Sequence, residues 1–194
     1  MYENELAFAA LRQSELQRVS GREERIKIVG EWMKELDLKV GEAVEQKWGA
    51  VWNIQPDQMA DLEKALLPLV EEMVSGANLL RLRARILMLE GPMEMHYHLN
   101  RYEAVRVMEG PVALYEPMVD GVKGVPAPEK YVTGQHVYIN PLDRHAWMPL
   151  PDGKNGYGLP KTVILAEWWL ARKGVESLDD DMVVTIDPYE NIKH

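Results

Sequence analysis

Gly91-Pro92-Met93-Glu94-Met95-His96-Tyr97-His98-Leu99-Asn100-Arg101-Tyr102-Glu103 is the stretch on which the reading of this chain turns. In an extended strand side chains alternate between two faces, so His96 and His98 point the same way. A bend at Leu99-Asn100-Arg101 can return Glu103 to that face. The chain has five histidines, and four of them, His96, His98, His136 and His145, fall between positions 96 and 145. Neutral imidazole together with carboxylate suits a divalent first-row metal such as iron, manganese, nickel or zinc. His145, arriving from a separate strand, would complete three nitrogens and one oxygen around one point and leave room for exogenous ligands. A lone histidine in an apolar strand is commonly packing. Two at i and i+2 followed by an acid are much harder to explain that way.

The spacing Gly91…His96-x-His98-x4-Glu103-x6-Gly110 resembles the first signature motif of the cupin superfamily. Pro141-Leu142-Asp143-Arg144-His145 resembles the second, which normally reads proline, glycine and histidine before a final asparagine. Here Asp143 stands in place of the glycine, the histidine comes one residue early and no asparagine follows. The similarity covers residues 79–187. It implies a mainly β fold with some α structure: a small antiparallel jelly-roll barrel, or double-stranded β-helix. One divalent transition metal would sit inside its mouth, held by His96, His98, Glu103 and His145.

At 194 residues the chain suits one domain with an extension and can bury a substantial core. Its net charge of −9 argues against nucleic acid, whose binding rests on basic patches that neutralise phosphates. With no cysteine, neither a disulfide framework nor a thiolate site is available. No apolar run reaches the length of a membrane span, and Met1-Tyr2-Glu3-Asn4-Glu5 lacks a basic signal-peptide opening. A cytoplasmic protein with a small-molecule substrate, no membrane contact and a homodimeric assembly is the expectation.

The pattern changes near residue 77. Before it, helical spacing dominates. Leu6, Ala9, Ala10, Leu11 and Leu16 predict a first helix ending before Ser20-Gly21. Ile26, Val29, Trp32, Met33 and Leu36 predict a second, and Val40, Val44 and Trp48 a third segment. Asp57 could cap a fourth helix carrying Met59, Leu62, Leu66, Leu69, Val70 and Met73, with Pro68 a kink or early stop and Ser75-Gly76 the end. Residues 1–76 are therefore read as a helical extension packing on a barrel of residues 77–194. The extension serves as a packed cap, a dimer element or a lid over the metal site.

Leu80, Leu82, Ala84, Ile86 and Met88 alternate with Arg81, Arg83, Arg85 and Leu87, which predicts a strand with one apolar face. The favoured reading turns the arginines to solvent. The alternative makes Arg83 and Arg85 substrate contacts, since guanidinium groups bind carboxylate or phosphate bidentately. Ala104–Met108 and Val112–Tyr115 read as a strand pair around Glu109-Gly110-Pro111. In His136-Val137-Tyr138-Ile139-Asn140, alternation puts His136, Tyr138 and Asn140 on one face, and His136 and Tyr138 become candidates if that face is lumenal. The glycine-rich segments 120–128 and 152–160 read as loops, and the second lacks the ending of a phosphate-binding loop. Thr162–Leu170 is an apolar strand interrupted by Glu167. A buried glutamate needs a partner, either an arginine among Arg81, Arg83 and Arg85 or a pocket role as general base.

Three resemblances within the superfamily imply different chemistries. The spacing His-x-His-x4-Glu, Pro111-Val112-Ala113-Leu114-Tyr115 running into an acidic turn, and the late Glu167 are similar to lyxose-type sugar isomerases. The tail 176–184 resembles the closing segment of cupin mannose-phosphate isomerases. Glu103, Arg106, Glu109 and Gly110 resemble a motif of acireductone dioxygenase. His96-Tyr97, Glu103-Ala104-Val105 and Asp143-Arg144-His145 resemble ectoine synthase, and helices ahead of a cupin resemble dimethylsulfoniopropionate lyases. The leading expectation is an aldose–ketose isomerase working by metal-assisted proton transfer. Glu167 would be the base, and Tyr138 or Arg106 would stabilise the enediolate. The alternatives are an Fe(II)-dependent dioxygenase, a lyase or cyclase on a small carboxylic acid, and a non-catalytic binding module.

Overall fold

A computed structural model describes residues 15, 16, 18–55, 79–115, 128–150, 162–172, 175 and 181–186. Helix α1 (Arg22–Glu35) places Glu23 and Glu24 in its first turn and Lys34 in its last, which complements the helix dipole. Among the described residues eleven strands follow: β1 (Val44–Gln46), β2 (Gly49–Asn53), β3 (Leu79–Leu89), β4 (Met95–His98), β5 (Arg101–Glu109), β6 (Val112–Tyr115), β7 (Glu129–Tyr131), β8 (His136–Ile139), β9 (Ala146–Pro149), β10 (Val163–Arg172) and β11 (Met182–Ile186). They form three antiparallel sheets, ordered β1-β2-β3-β10-β5-β8, β11-β4 and β7-β6-β9.

From β3 onward the chain steps back and forth between the large sheet and the two small ones. A bridge between His96 and His145 links β4 to the segment entering β9, so the small sheets adjoin. That alternation is the topology of a jelly roll, the double-stranded β-helix expected from the sequence. The fold is mainly β, with a helix ahead of the barrel.

The long strands bury both faces, and each face has its own core. On one, Ala84, Ile86 and Met88 of β3 and Ala166, Trp168 and Leu170 of β10 pack with Val29, Trp32 and Met33 of α1. Each fully buried large apolar side chain contributes roughly 1.5–3 kcal/mol. Arg22 and Arg25 both pair with Glu90 just beyond β3, fixing the helix on the sheet. On the other face, Leu87, Leu89, Val105, Val107 and Leu165 meet Val112 and Leu114 of β6 and Trp147 of β9 across the lumen.

Several sequence readings change at this level. The third predicted helical segment is instead the β1–β2 hairpin, extending the large sheet through β3. Gly49 sits at its turn, where an added Cβ would lie 1.8 Å from the Met88 carbonyl oxygen, so this close approach requires glycine. Trp52 joins the helix-side core, whereas Trp48 enters the lumenal one. β5 and β6 do not form a hairpin. β5 pairs with β10 and β8, and β6 with β7 and β9. The second predicted helix is α1. The first (apart from its last turn), the fourth, and nearly all of both glycine-rich loops lie outside the described residues.

Candidate metal centre

Strand β4 alternates as the sequence requires: His96 and His98 are buried, while Met95 and Tyr97 are half-buried. After the bend at Leu99-Asn100, Glu103 of β5 comes back to the same point. His145 is delivered by a direct backbone pairing, its N–H donating to the His96 carbonyl at 2.8 Å and the His96 N–H returning the bond at 3.0 Å. All four side chains are at most 3% exposed. One donor atom from each lies within 4.8 Å of the others.

The hydrogen bonds around the rings set their tautomers. His96 Nδ1 faces the Glu94 carbonyl at 2.7 Å, and His145 Nδ1 faces the Asp143 carbonyl at 3.0 Å. A carbonyl only accepts, so each Nδ1 carries the hydrogen and Nε2 holds the free lone pair in the neutral ring. Outer hydrogen bonds of this kind orient metal-binding histidines. Asp181 stands 3.7 Å from Nδ1 of His98, and its other oxygen accepts the Asn100 N–H at 2.7 Å.

The Glu103 carboxylate lies 3.0 Å from His98 Nε2 and 3.1 Å from His145 Nε2. Lone pairs facing a carboxylate at such distances need a proton or a cation between them. A proton fills that role at His145, and the Arg101 guanidinium stands against both His98 and Glu103. For His145, burial lowers the pKa, but the hydrogen bond and charge of Glu103 outweigh it and the net shift is upward. Burial alone would raise Glu103, yet hydrogen bonds from His145 and His98 hold it well below the usual carboxylate range. Burial, with His145 adding to it, pushes His96 down to about 3, and burial also lowers His98. Glu103 Oε1 has no well-aligned hydrogen bond. The inward lone pairs and outward-fixed N–H groups of His96 and His145, with the buried Glu103 anion, fit a divalent cation, and the group of four could hold one.

Strand register explains what surrounds the group. One row across the large sheet aligns Arg83, Trp169, Glu103 and Ile139; the next aligns Arg85, Glu167, Val105 and Val137; a third aligns Leu87, Leu165 and Val107. The lumen thus runs from charged to apolar within three rows.

Glu167 is 2% exposed and forms a two-point ion pair with Arg85, through Nε and, at 3.1 Å, through Nη2. Trp169 Nε1 donates to it at 3.0 Å. Burial raises the Glu167 pKa, Arg85 opposes, and the neighbouring Glu103 raises it further, leaving it above the ordinary range. The arginine face of β3, read from sequence as solvated, is therefore the lumenal face, because α1 covers the apolar one. Arg85 is half-buried there and Arg83 is exposed at the mouth.

The remaining candidates are not brought to this point. Arg106 and Tyr138 alternate out of phase with Glu103, Val137 and Ile139, on the opposite face of the sheet, and Tyr138 is 39% exposed. His136 pairs across the sheet with Arg106, away from the four ligands; burial and the Arg106 charge lower its pKa.

Sequence reasoning passed over Arg101, Trp169 and Asp181. Arg101, 3% exposed, places Nη2 2.6–2.7 Å from the His98 ring nitrogens and 3.0 Å from Glu103 Oε1. Its guanidinium lies 3.6 Å from the centre of the Trp169 ring. Period two from Glu103 and from Glu167 would have found Arg101 and Trp169. No spacing points to Asp181.

No protein-family model matches the chain, and no curated protein does. Solved structures share its outline at low identity. The capsular polysaccharide assembling protein CapF of Staphylococcus aureus is 13% identical, covering 77% of this chain and 35% of that one, with a TM-score of 0.45. The DMSP lyase DddQ of Ruegeria pomeroyi DSS-3 is 16% identical over 56% of this chain and 44% of its own, with a TM-score of 0.37. The oxalate decarboxylase of Lactobacillus farciminis is 14% identical over 76% and 33%, with a TM-score of 0.42. This chain spans less than half the length of each. Among the described residues no helix is long and apolar enough to cross a membrane.

Proposed function

We propose that this cupin-type chain is a metal-dependent enzyme that moves a proton on a small hydroxy-carbonyl substrate, the chemistry of an isomerase. The observation that carries this reading is a buried carboxylate, Glu167, on the same lumenal face as the four-ligand group and against Glu103. His96, His98, Glu103 and His145 would hold the metal, whose contribution when bound is Lewis acidity toward a carbonyl and its neighbouring hydroxyl.

Glu167 would take a proton from the carbon beside that carbonyl and return it one position along. Its proton affinity is lifted by burial and by Glu103 and opposed by Arg85, with a net shift upward, the direction that strengthens a carboxylate as a base. Trp169, donating to Glu167 Oε1, holds the carboxylate in one orientation. Tyr138 and Arg106 lie on the other face of the sheet, so stabilisation of enediolate charge falls to Arg101. Lyase chemistry on a small carboxylic acid begins with the same proton removal, and the arginines beside Trp169 favour it as the second reading.

The test is anaerobic incubation of the metal-loaded protein with small aldoses, ketoses and hydroxy acids in deuterated water, followed by mass spectrometry. Solvent deuterium entering substrate or product, lost in Glu167→Gln with metal content unchanged, supports the reading. Turnover that consumes oxygen in step with substrate moves the chain to dioxygenase chemistry, and full activity in Glu167→Gln removes the base.

A further inference from the structure

The lumenal row beside the ligands holds an arrangement that proton transfer does not require. Three guanidinium groups surround one indole: Arg83, Arg85 and Arg101 lie 4.9, 4.5 and 3.6 Å from the centre of the Trp169 ring. A cation over an indole face gains electrostatic attraction, but three on one ring repel one another unless anions lie between them. Glu167 answers Arg85. Glu103 answers Arg101 in part, through Nη2. Nε of Arg101 is buried without a hydrogen bond, and an Asp181 carboxylate oxygen lies 4.0 Å from it. Arg83, exposed at the mouth, has no acidic partner among the described residues.

We infer that Arg83 and Arg101, set across Trp169, form an anion subsite that takes a carboxylate of the substrate. Planar guanidinium forks match a planar carboxylate, and the indole beside both offers a flat wall against which such a group can lie. The charge balance agrees. Among the described residues Arg83, Arg85 and Arg101 are matched in number by Glu103, Glu167 and Asp181, and a divalent ion would add positive charge there. A small acid offsets part of that charge where a neutral polyol does not. The chain as a whole is strongly acidic, with a net charge of −9, so the attraction is local to this mouth. Helix α1 packs on the opposite face of the large sheet, and the donors identified here are side chains. The inference rests on the proposed function only in making the bound acid the substrate; the subsite stands on the arginines.

Isothermal titration with malonate and with glycerol as probes, on both metal-free and manganese-loaded protein, tests it. Malonate is expected to bind both forms, more tightly with manganese, and glycerol to neither. Arg83→Gln, at an exposed position, is expected to weaken malonate about tenfold in both forms, the size of one lost charge-assisted contact, with manganese stoichiometry unchanged. Arg83→Lys should recover part of that loss, and Lys34→Gln, on α1, should leave binding as it was. Equal binding of glycerol and malonate, or no effect of Arg83→Gln on the metal-free protein, overturns the subsite. Failure to take up manganese counts against the metal-dependent reading alone, since the metal-free titration still decides the subsite.

Discussion

The two faces of the six-stranded sheet use the same strands in opposite ways. On the helix side, Ala84, Ile86, Met88, Ala166, Trp168 and Leu170 close against α1 with no charged group among them. On the lumenal side, apolar residues fill one end and then give way, one row at a time, to Glu167 with Arg85 and to Glu103 with Trp169 and Arg83. Apart from the pairing of Arg22 and Arg25 with Glu90, the helix-side face is held to α1 by buried apolar area, which is non-directional. The lumenal end depends on directed contacts, each buried polar group relying on a particular partner. Mutations on the two faces should therefore fail differently.

The largest effect belongs to the helix side. Trp168→Ala, at a fully buried position, should cost about 3–5 kcal/mol in denaturant unfolding, while any folded protein still takes up metal. Loss of metal affinity at equal stability loss would show that the faces are not separable. Next comes His98→Ala, expected to weaken metal binding by at least about a hundredfold, since even outer partners of ligands cost tenfold to a hundredfold. Asp181→Asn should then weaken it by roughly tenfold or more, read by competition with a chelator, because the His98 ring loses the carboxylate beside Nδ1.

Acid sensitivity of the metal-free protein follows. His96, held down to about 3, stays neutral in the folded state while the unfolded chain protonates near 6.5, so stability falls as pH drops through that window. The contribution is about 1.4 kcal/mol per pH unit. His145 has the opposite sign: its raised pKa supplies stability that is complete below 6.5 and lost as pH rises through the folded value. Denaturant melts from pH 7 to 5 should thus be steeper for His145→Asn than for the parent and shallower for His96→Asn. The smallest effect is expected of Tyr138→Phe, outside the lumen, with stability within about 0.5 kcal/mol and unchanged metal content and turnover. A large loss of turnover would return Tyr138 to the site.

Much of the candidate site was legible because strand alternation is a local property. His96, His98 and Glu103 converge through period two and one bend, and the resemblance supplied His145 and the barrel. The same alternation separated Val137 and Ile139 from His136 and Tyr138, but it could not say which pair faced the lumen. It also split the β3 arginines from Ala84, Ile86 and Met88. There the choice of face came out inverted, because a strand covered on both sides has two insides. Helical spacing over Val40, Val44 and Trp48 yielded to the pairing of β2 with β3, a contact between residues far apart in the chain.

By itself, then, the sequence determined the periodicities: which residues share a face, where a strand bends, and that two histidines and a glutamate can meet. It also determined composition, with no cysteine to offer and an excess of acid. Only the tertiary structure decided which face became lumen, because that depends on where α1 packs. Only it brought Asp181 to His98 and assembled Arg83, Arg85 and Arg101 around Trp169. Those contacts are set by cross-strand register, fixed when separate segments pair, and no local spacing encodes them.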